Sequence, residues 1–148
     1  MNSENIQRVA LVGGGVIGSG WATRCLARGL SVVVTDPAPG AAEFVGKTID
    51  SAWPVLEQAG LDEQASRDKL EFAPDIEAAV VGADFVQENV PEREDLKISV
   101  HEEIGRYAAD DTVVASSSSG LLRSRKTVTA PFLKVLPCEV SRLWTNWS

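Results

Sequence analysis

Apolar residues occur in short blocks separated by polar, glycine and proline positions. Val9-Ala10-Leu11-Val12 is a short apolar run that reads as a strand, and it leads straight into Gly13-Gly14-Gly15-Val16-Ile17-Gly18. A helical pattern begins near Ser19, with Trp21, Ala22, Cys25 and Leu26 at helical spacing and Gly29 at the position of a C-terminal cap. A second apolar run, Leu30-Ser31-Val32-Val33-Val34, ends at Asp36. Residues 41–60 read as a long helix that Pro54 should end or kink after Trp53. The polar stretch 62–69 reads as helical, Leu70-Glu71-Phe72 as a short strand, Ile76 to about Val80 as a short helix, and 84–88 as the next strand. Beyond Pro91 a helix is predicted from roughly Glu94 to Ala109, its apolar stripe formed by Leu96, Val100, Ile104 and Tyr107. Thr112-Val113-Val114-Ala115 is then a buried strand that delivers Ser116-Ser117-Ser118-Ser119-Gly120 to its carboxyl end. The alternation predicts an α/β fold, a doubly wound, mostly parallel sheet with its ligand crevice at the carboxyl ends of the strands.

The glycine run has the form of a dinucleotide-binding fingerprint in its proper setting, between a strand and a helix. Gly13 permits the tight turn, Gly15 lets backbone amides approach a pyrophosphate, and Gly18 lets the helix pack closely, with the phosphates at the helix N-terminus beside Val16 and Ile17. Asp36 lies about twenty residues further on, where a carboxylate accepts hydrogen bonds from the adenosine ribose hydroxyls. It would repel a 2′-phosphate, and Pro37-Ala38-Pro39 offers no arginine to receive one, so NAD is expected over NADP. A plainer role for Asp36 is to open the turn before Pro37.

At 148 residues the chain can form one well-packed core, and its apolar runs are too short to span a bilayer. Residues 1–5 carry neither a basic nor a hydrophobic leader segment, so no signal peptide is expected. Two cysteines, Cys25 and Cys138, do not make a disulfide framework, and Cys25 falls on the buried face of the first helix. These features point to a reducing, cytoplasmic setting. The net charge of −7 argues against nucleic acid and anionic membranes as partners. Its distribution is uneven: residues 1–120 hold 9 Lys and Arg against 20 Asp and Glu, whereas residues 121–148 hold 5 against 1. Residues 1–122 therefore read as the Rossmann-type domain, and 123–148 as an atypical tail with room for one further strand.

Together, the glycine loop, Asp36, the run Ala83-Asp84-Phe85-Val86-Gln87-Glu88-Asn89-Val90-Pro91-Glu92 and the serines after Ala115 resemble the NAD-binding domain of the 3-hydroxyacyl-CoA dehydrogenase family over about residues 6–122. Within that family, Trp53-Pro54-Val55-Leu56, the segment from Gln87 to Lys97 and the four serines are most similar to the carnitine 3-dehydrogenase and gulonate dehydrogenase (lambda-crystallin) branch. The resemblance implies oxidation of the 3-hydroxyl of a small polar acid by NAD. By position it implies that Glu92 and Lys97 line the cofactor site and that Ser119 hydrogen-bonds the substrate's reacting oxygen. Read without the resemblance, Glu92 and Lys97 are a solvated pair and the serines a polar turn. No basic residue stands between Lys47 and Arg67, about where the family places cations for the phosphates of CoA, and this favours a small hydroxy acid.

The family's proton acceptor is a histidine in a His-Pro-Phe-Asn-Pro-like stretch after the serine loop. The chain has one histidine, His101, which lies in the predicted 94–109 helix and is expected on its surface. The corresponding stretch reads Phe132-Leu133-Lys134-Val135-Leu136-Pro137-Cys138-Glu139-Val140 and carries no such base. A truncated or frame-altered enzyme, weakly active or inactive alone, is one expectation; a non-catalytic NAD-binding or crystallin-like protein is the alternative, and a flavin domain a more distant one. No metal site is expected. Trp144 and Trp147 are candidates for packing into a neighbouring chain, which leaves a homo-oligomer open.

Overall fold

A computed structural model of the chain describes residues 6–117 and 135–136. Strand β1 (Arg8–Val12) is followed by α1 (Val16–Ala27), β2 (Ser31–Thr35), α2 (Ala41–Ala59), β3 (Leu70–Phe72), α3 (Ile76–Val80), β4 (Phe85–Glu88), α4 (Glu94–Tyr107), β5 (Val113–Ser116) and β6 (Val135–Leu136). The strands form one sheet in the order β3-β2-β1-β4-β5-β6. Every pairing is parallel, with Val12 opposite Thr35 on one side and Glu88 on the other. This is the doubly wound Rossmann arrangement, and the strand order reverses at β1.

Alternate residues of the strands feed two cores. Val9, Leu11, Val32, Val34 and Phe85 pack under α1 and α2, whereas Ala10, Val12, Val33, Val86 and Val114 pack under α3 and α4. Both faces of the central strands are thus covered, which explains why β1 and β2 read as continuous apolar runs.

Two local expectations are corrected. Helix α2 is not ended by Pro54 and runs through it to Ala59 as one element. Proline inside a helix costs about 3 kcal/mol. Burial of Val45, Ile49 and Trp53 along one face outweighs it, at about 1.5–3 kcal/mol for each large side chain. The backbone bond that Pro54 forgoes would have gone to Asp50, which is exposed, so water can serve its carbonyl. The segment 62–69 holds only a single 3-10 turn, Arg67–Lys69. Asp62 accepts from Gln64 N–H and Ser66 from Asp68 N–H, side-chain bonds that compete with helix formation. Gly29, with φ of 82°, ends the first helix as expected, and Leu30 N–H returns to the Cys25 carbonyl. The tail supplies a sixth strand, β6, beside β5.

Candidate binding cleft

The carboxyl ends of β1, β2, β4 and β5 open into a cleft of about 870 Å³. Its floor is the turn between β1 and α1. Gly13 adopts a φ of 107°, and a Cβ there would lie 2.7 Å from the Asn89 carbonyl oxygen, so only glycine allows the turn to meet the loop after β4. A Cβ on Gly18 would collide with the Gly13 carbonyl oxygen. Gly15 differs: nothing lies within 4 Å of a Cβ built on it. The fold itself does not need glycine at this position, and the open space faces the cleft.

Helix α1 starts without a side-chain cap and without an acidic residue in its first turn. The first intrahelical bond runs from Ser19 N–H to the Gly15 carbonyl, which leaves the amides of Val16, Ile17 and Gly18 ahead of the hydrogen-bonded ladder. Val16 and Ile17 are 78% and 58% exposed on the cleft wall, unusual for large apolar side chains. A bare helix N-terminus beside an open glycine is suited to a pyrophosphate.

Asp36, half-buried at the end of β2, is held facing the same space. Its Oδ2 accepts from Gly14 N–H at 2.7 Å and its Oδ1 from Ala38 N–H at 2.8 Å. A carboxylate offers about four lone-pair positions, so capacity for two ribose hydroxyls remains. Among the described residues, the ionisable side chains lining the cleft are Asp36, Asp75, Glu92 and Glu103, all acidic. Asp75 also accepts from Ala78 N–H and caps α3.

The opposite wall comes from the loop after β4 and the end of β5. Asn89, Val90, Pro91, Glu92 and Ser117 line it. Ser117 Oγ donates to Asn89 Oδ1 at 2.6 Å and receives Gln87 Nε2 at 2.7 Å. Asn89 Nδ2 is buried without a partner among the described residues.

Behind this wall lies a buried ionic cluster. Lys97, 2% exposed, does not line the cleft; its Nζ donates to Glu88 Oε1 at 2.9 Å and to the Val90 carbonyl at 3.2 Å, and lies 3.4 Å from Glu92 Oε1. His101 is corrected from a surface residue to a buried one, with Nε2 3.2 Å from Glu88 Oε2. Ser116 Oγ donates to the same oxygen at 2.5 Å. Burial alone would push the Glu88 carboxyl up, but hydrogen bonds from His101, Ser116 and Lys97 and the Lys97 charge outweigh it and bring the pKa down to about 2. Glu88 was not singled out from the sequence, although two signals marked it. It is an acid in a strand flanked on both sides, and Lys97 and His101 share the helical spacing of Val100 and Ile104 on the face packed against that strand. Ser119 lies outside the described residues.

The model of the 3-hydroxyacyl-CoA dehydrogenase NAD-binding domain matches residues 8–129. An L-carnitine dehydrogenase of Pseudomonas putida is 51% identical over 119 residues, 80% of this chain and 37% of the relative. That of Burkholderia mallei is 53% identical over 117 residues, 79% of this chain and 36% of the relative. The chain thus spans little more than a third of the length of these curated relatives. Among solved structures, a 5-formyl-3-hydroxy-2-methylpyridine 4-carboxylic acid 5-dehydrogenase, an NAD+-dependent dismutase, superposes with a TM-score of 0.73 at 38% identity, covering 85% of this chain and 42% of that one.

Proposed function

Because the chain belongs to the 3-hydroxyacyl-CoA dehydrogenase family and is its NAD-binding domain, we propose that it holds NAD in preference to NADP and serves oxidation of the 3-hydroxyl of a small polar acid of the carnitine kind. The observation that carries this reading is the pairing of Asp36 with the uncapped N-terminus of α1 on either side of the open space at Gly15. The amides of Val16, Ile17 and Gly18 bind the phosphates, and the free lone pairs of Asp36 bind the adenosine ribose hydroxyls. A 2′-phosphate would meet the Asp36 carboxylate, with no basic side chain among the described lining residues to offset it. Bound NAD supplies the hydride acceptor.

Glu92 forms the rim of the cofactor wall and Lys97 supports it from behind, while Ser119 holds the reacting oxygen of the substrate. No basic side chain stands between Lys47 and Arg67 to meet the phosphates of CoA, which suits a small acid of the carnitine kind better than a CoA thioester. The chain's one histidine is committed to Glu88, so the base that takes the hydroxyl proton is not His101. The same observation favours a second reading, a chain that binds NAD without turning substrate over by itself.

Calorimetric titration with NADH and with NADPH tests the cofactor reading. Clear preference for NADH is expected; equal affinity, or none for either, overturns it. For the substrate, faster NAD-dependent oxidation of a 3-hydroxyacyl-CoA than of L-carnitine would reject the small-acid assignment.

A further inference from the structure

The cluster behind the cleft joins three elements through one carboxylate. Glu88 Oε1 accepts from Val90 N–H at 2.7 Å and from Lys97 Nζ at 2.9 Å; Oε2 accepts from Lys97 Nζ at 3.2 Å and Ser116 Oγ at 2.5 Å, and lies 3.2 Å from His101 Nε2. Lys97 in turn donates to the Val90 carbonyl. Val90 is therefore held at both its N–H, by Glu88, and its C=O, by Lys97. Ser116 immediately precedes Ser117, the residue that reaches Asn89 from the cleft wall. Glu88 itself is fully buried and lines no part of the cleft.

We infer that Glu88 is a positioning residue for the half of the dinucleotide beyond the pyrophosphate, acting through Val90, Lys97 and Ser116 rather than by touching the ligand. The direction follows from the topology. Asp36 ends β2, on one side of the glycine turn, and takes the adenosine ribose; β4 and β5 lie on the other side, so the remaining half of the ligand must run along Asn89, Val90 and Ser117. A buried ion pair that grips a wall from behind keeps it in place without occupying ligand space. It also accounts for Lys97, whose ammonium is turned away from the cleft and towards the wall's own backbone.

The inference rests on the proposed occupancy of the cleft by NAD, and a test with two ligands separates the two. In the 148-residue chain, Glu88→Gln preserves size and an oxygen for Val90 N–H but removes the charge that holds Lys97. The dissociation constant for NADH, read from its fluorescence, should rise by about tenfold or more, while that for ADP, which fills only the adenosine side, should stay within about twofold. A merely structural role would weaken both alike. Unchanged NADH binding by Glu88→Gln overturns the inference, whereas a wild-type chain that binds neither ligand overturns the occupancy itself. Should Glu88→Gln fail to fold with the half-exposed Glu92 as the remaining counter-ion of Lys97, the neutral Glu88→Gln/Lys97→Met pair carries the same test. Selective loss of NADH binding in that pair supports the role, and equal loss or retention of both ligands refutes it.

Discussion

Alanine at Gly15 and at Gly18 should produce opposite phenotypes, although both belong to one glycine motif. A methyl group on Gly18 would collide with the Gly13 carbonyl oxygen, a backbone atom that cannot move without shifting the turn. Overpacking of this kind costs about 1–3 kcal/mol, against at most about 1 kcal/mol returned by alanine's better helix propensity. At roughly 2–4 °C per kcal/mol for a chain of about this size, Gly18→Ala should lower Tm by several degrees. At Gly15 the added methyl meets no protein atom within 4 Å, and the backbone there, at φ of −76° and ψ of −158°, is extended. Gly15→Ala should therefore leave Tm unchanged or raise it slightly, by about 0.4–1 kcal/mol of reduced unfolded-state entropy. It should nonetheless weaken NADH by about tenfold or more, or at least about 1.4 kcal/mol, because the methyl enters the space left for the pyrophosphate. Thermal melts and NADH titrations on the two variants suffice. Wild-type NADH affinity in Gly15→Ala would refute the placement of the pyrophosphate, and a wild-type melt for Gly18→Ala would refute the close approach of α1 to the turn.

Asp36→Ala removes the acceptor for Gly14 and Ala38 N–H as well as the proposed ribose ligand, so it should cost about 1–3 kcal/mol of stability and narrow the difference between NADH and NADPH; unchanged discrimination would remove Asp36 from the site. Acid stability should depend on Glu88. Its folded pKa, about 2, lies below the ordinary 4.5, so the stability it contributes is full above about 4.5 and is lost as pH falls towards 2. That contribution is on the order of 3 kcal/mol. Urea midpoints between pH 6 and pH 3 should fall less steeply in a folded Glu88→Gln variant; parallel curves would contradict the depressed pKa. Burial pushes the Cys25 thiol up to about 12, so iodoacetamide at pH 8 should leave the Cys25 peptide unmodified until the chain is denatured. Labelling of that peptide in the native protein would show that α1 opens.

The alternation of strands and helices was legible because parallel strands covered on both faces need uninterrupted apolar runs, and the chain supplies them at β1 and β2. The tight turn at Gly13 and Gly18 and the position of Asp36 beside it could be read because they depend on local backbone geometry at fixed spacing. Helix α2 was legible in extent but not in its passage through Pro54, since the propensity of one residue is weighed against burial by partners distant in sequence. The 62–69 segment misled for a related reason: its polar residues bond to nearby amides rather than to solvent.

The pattern of residues by itself determined the fold class, the glycine turn between β1 and α1 and the presence of an acid at the end of β2. Only the tertiary structure decided that Lys97 turns inward, that His101 is buried, and that Glu88 joins them to Ser116 behind the cleft wall. Charge on a helix face reads as solvated until the neighbouring strand is known. Here β4 places a carboxylate opposite Lys97 and His101, and such a pairing across packed elements depends on strand order and on how the helix sits over the sheet, which no local spacing in the chain records.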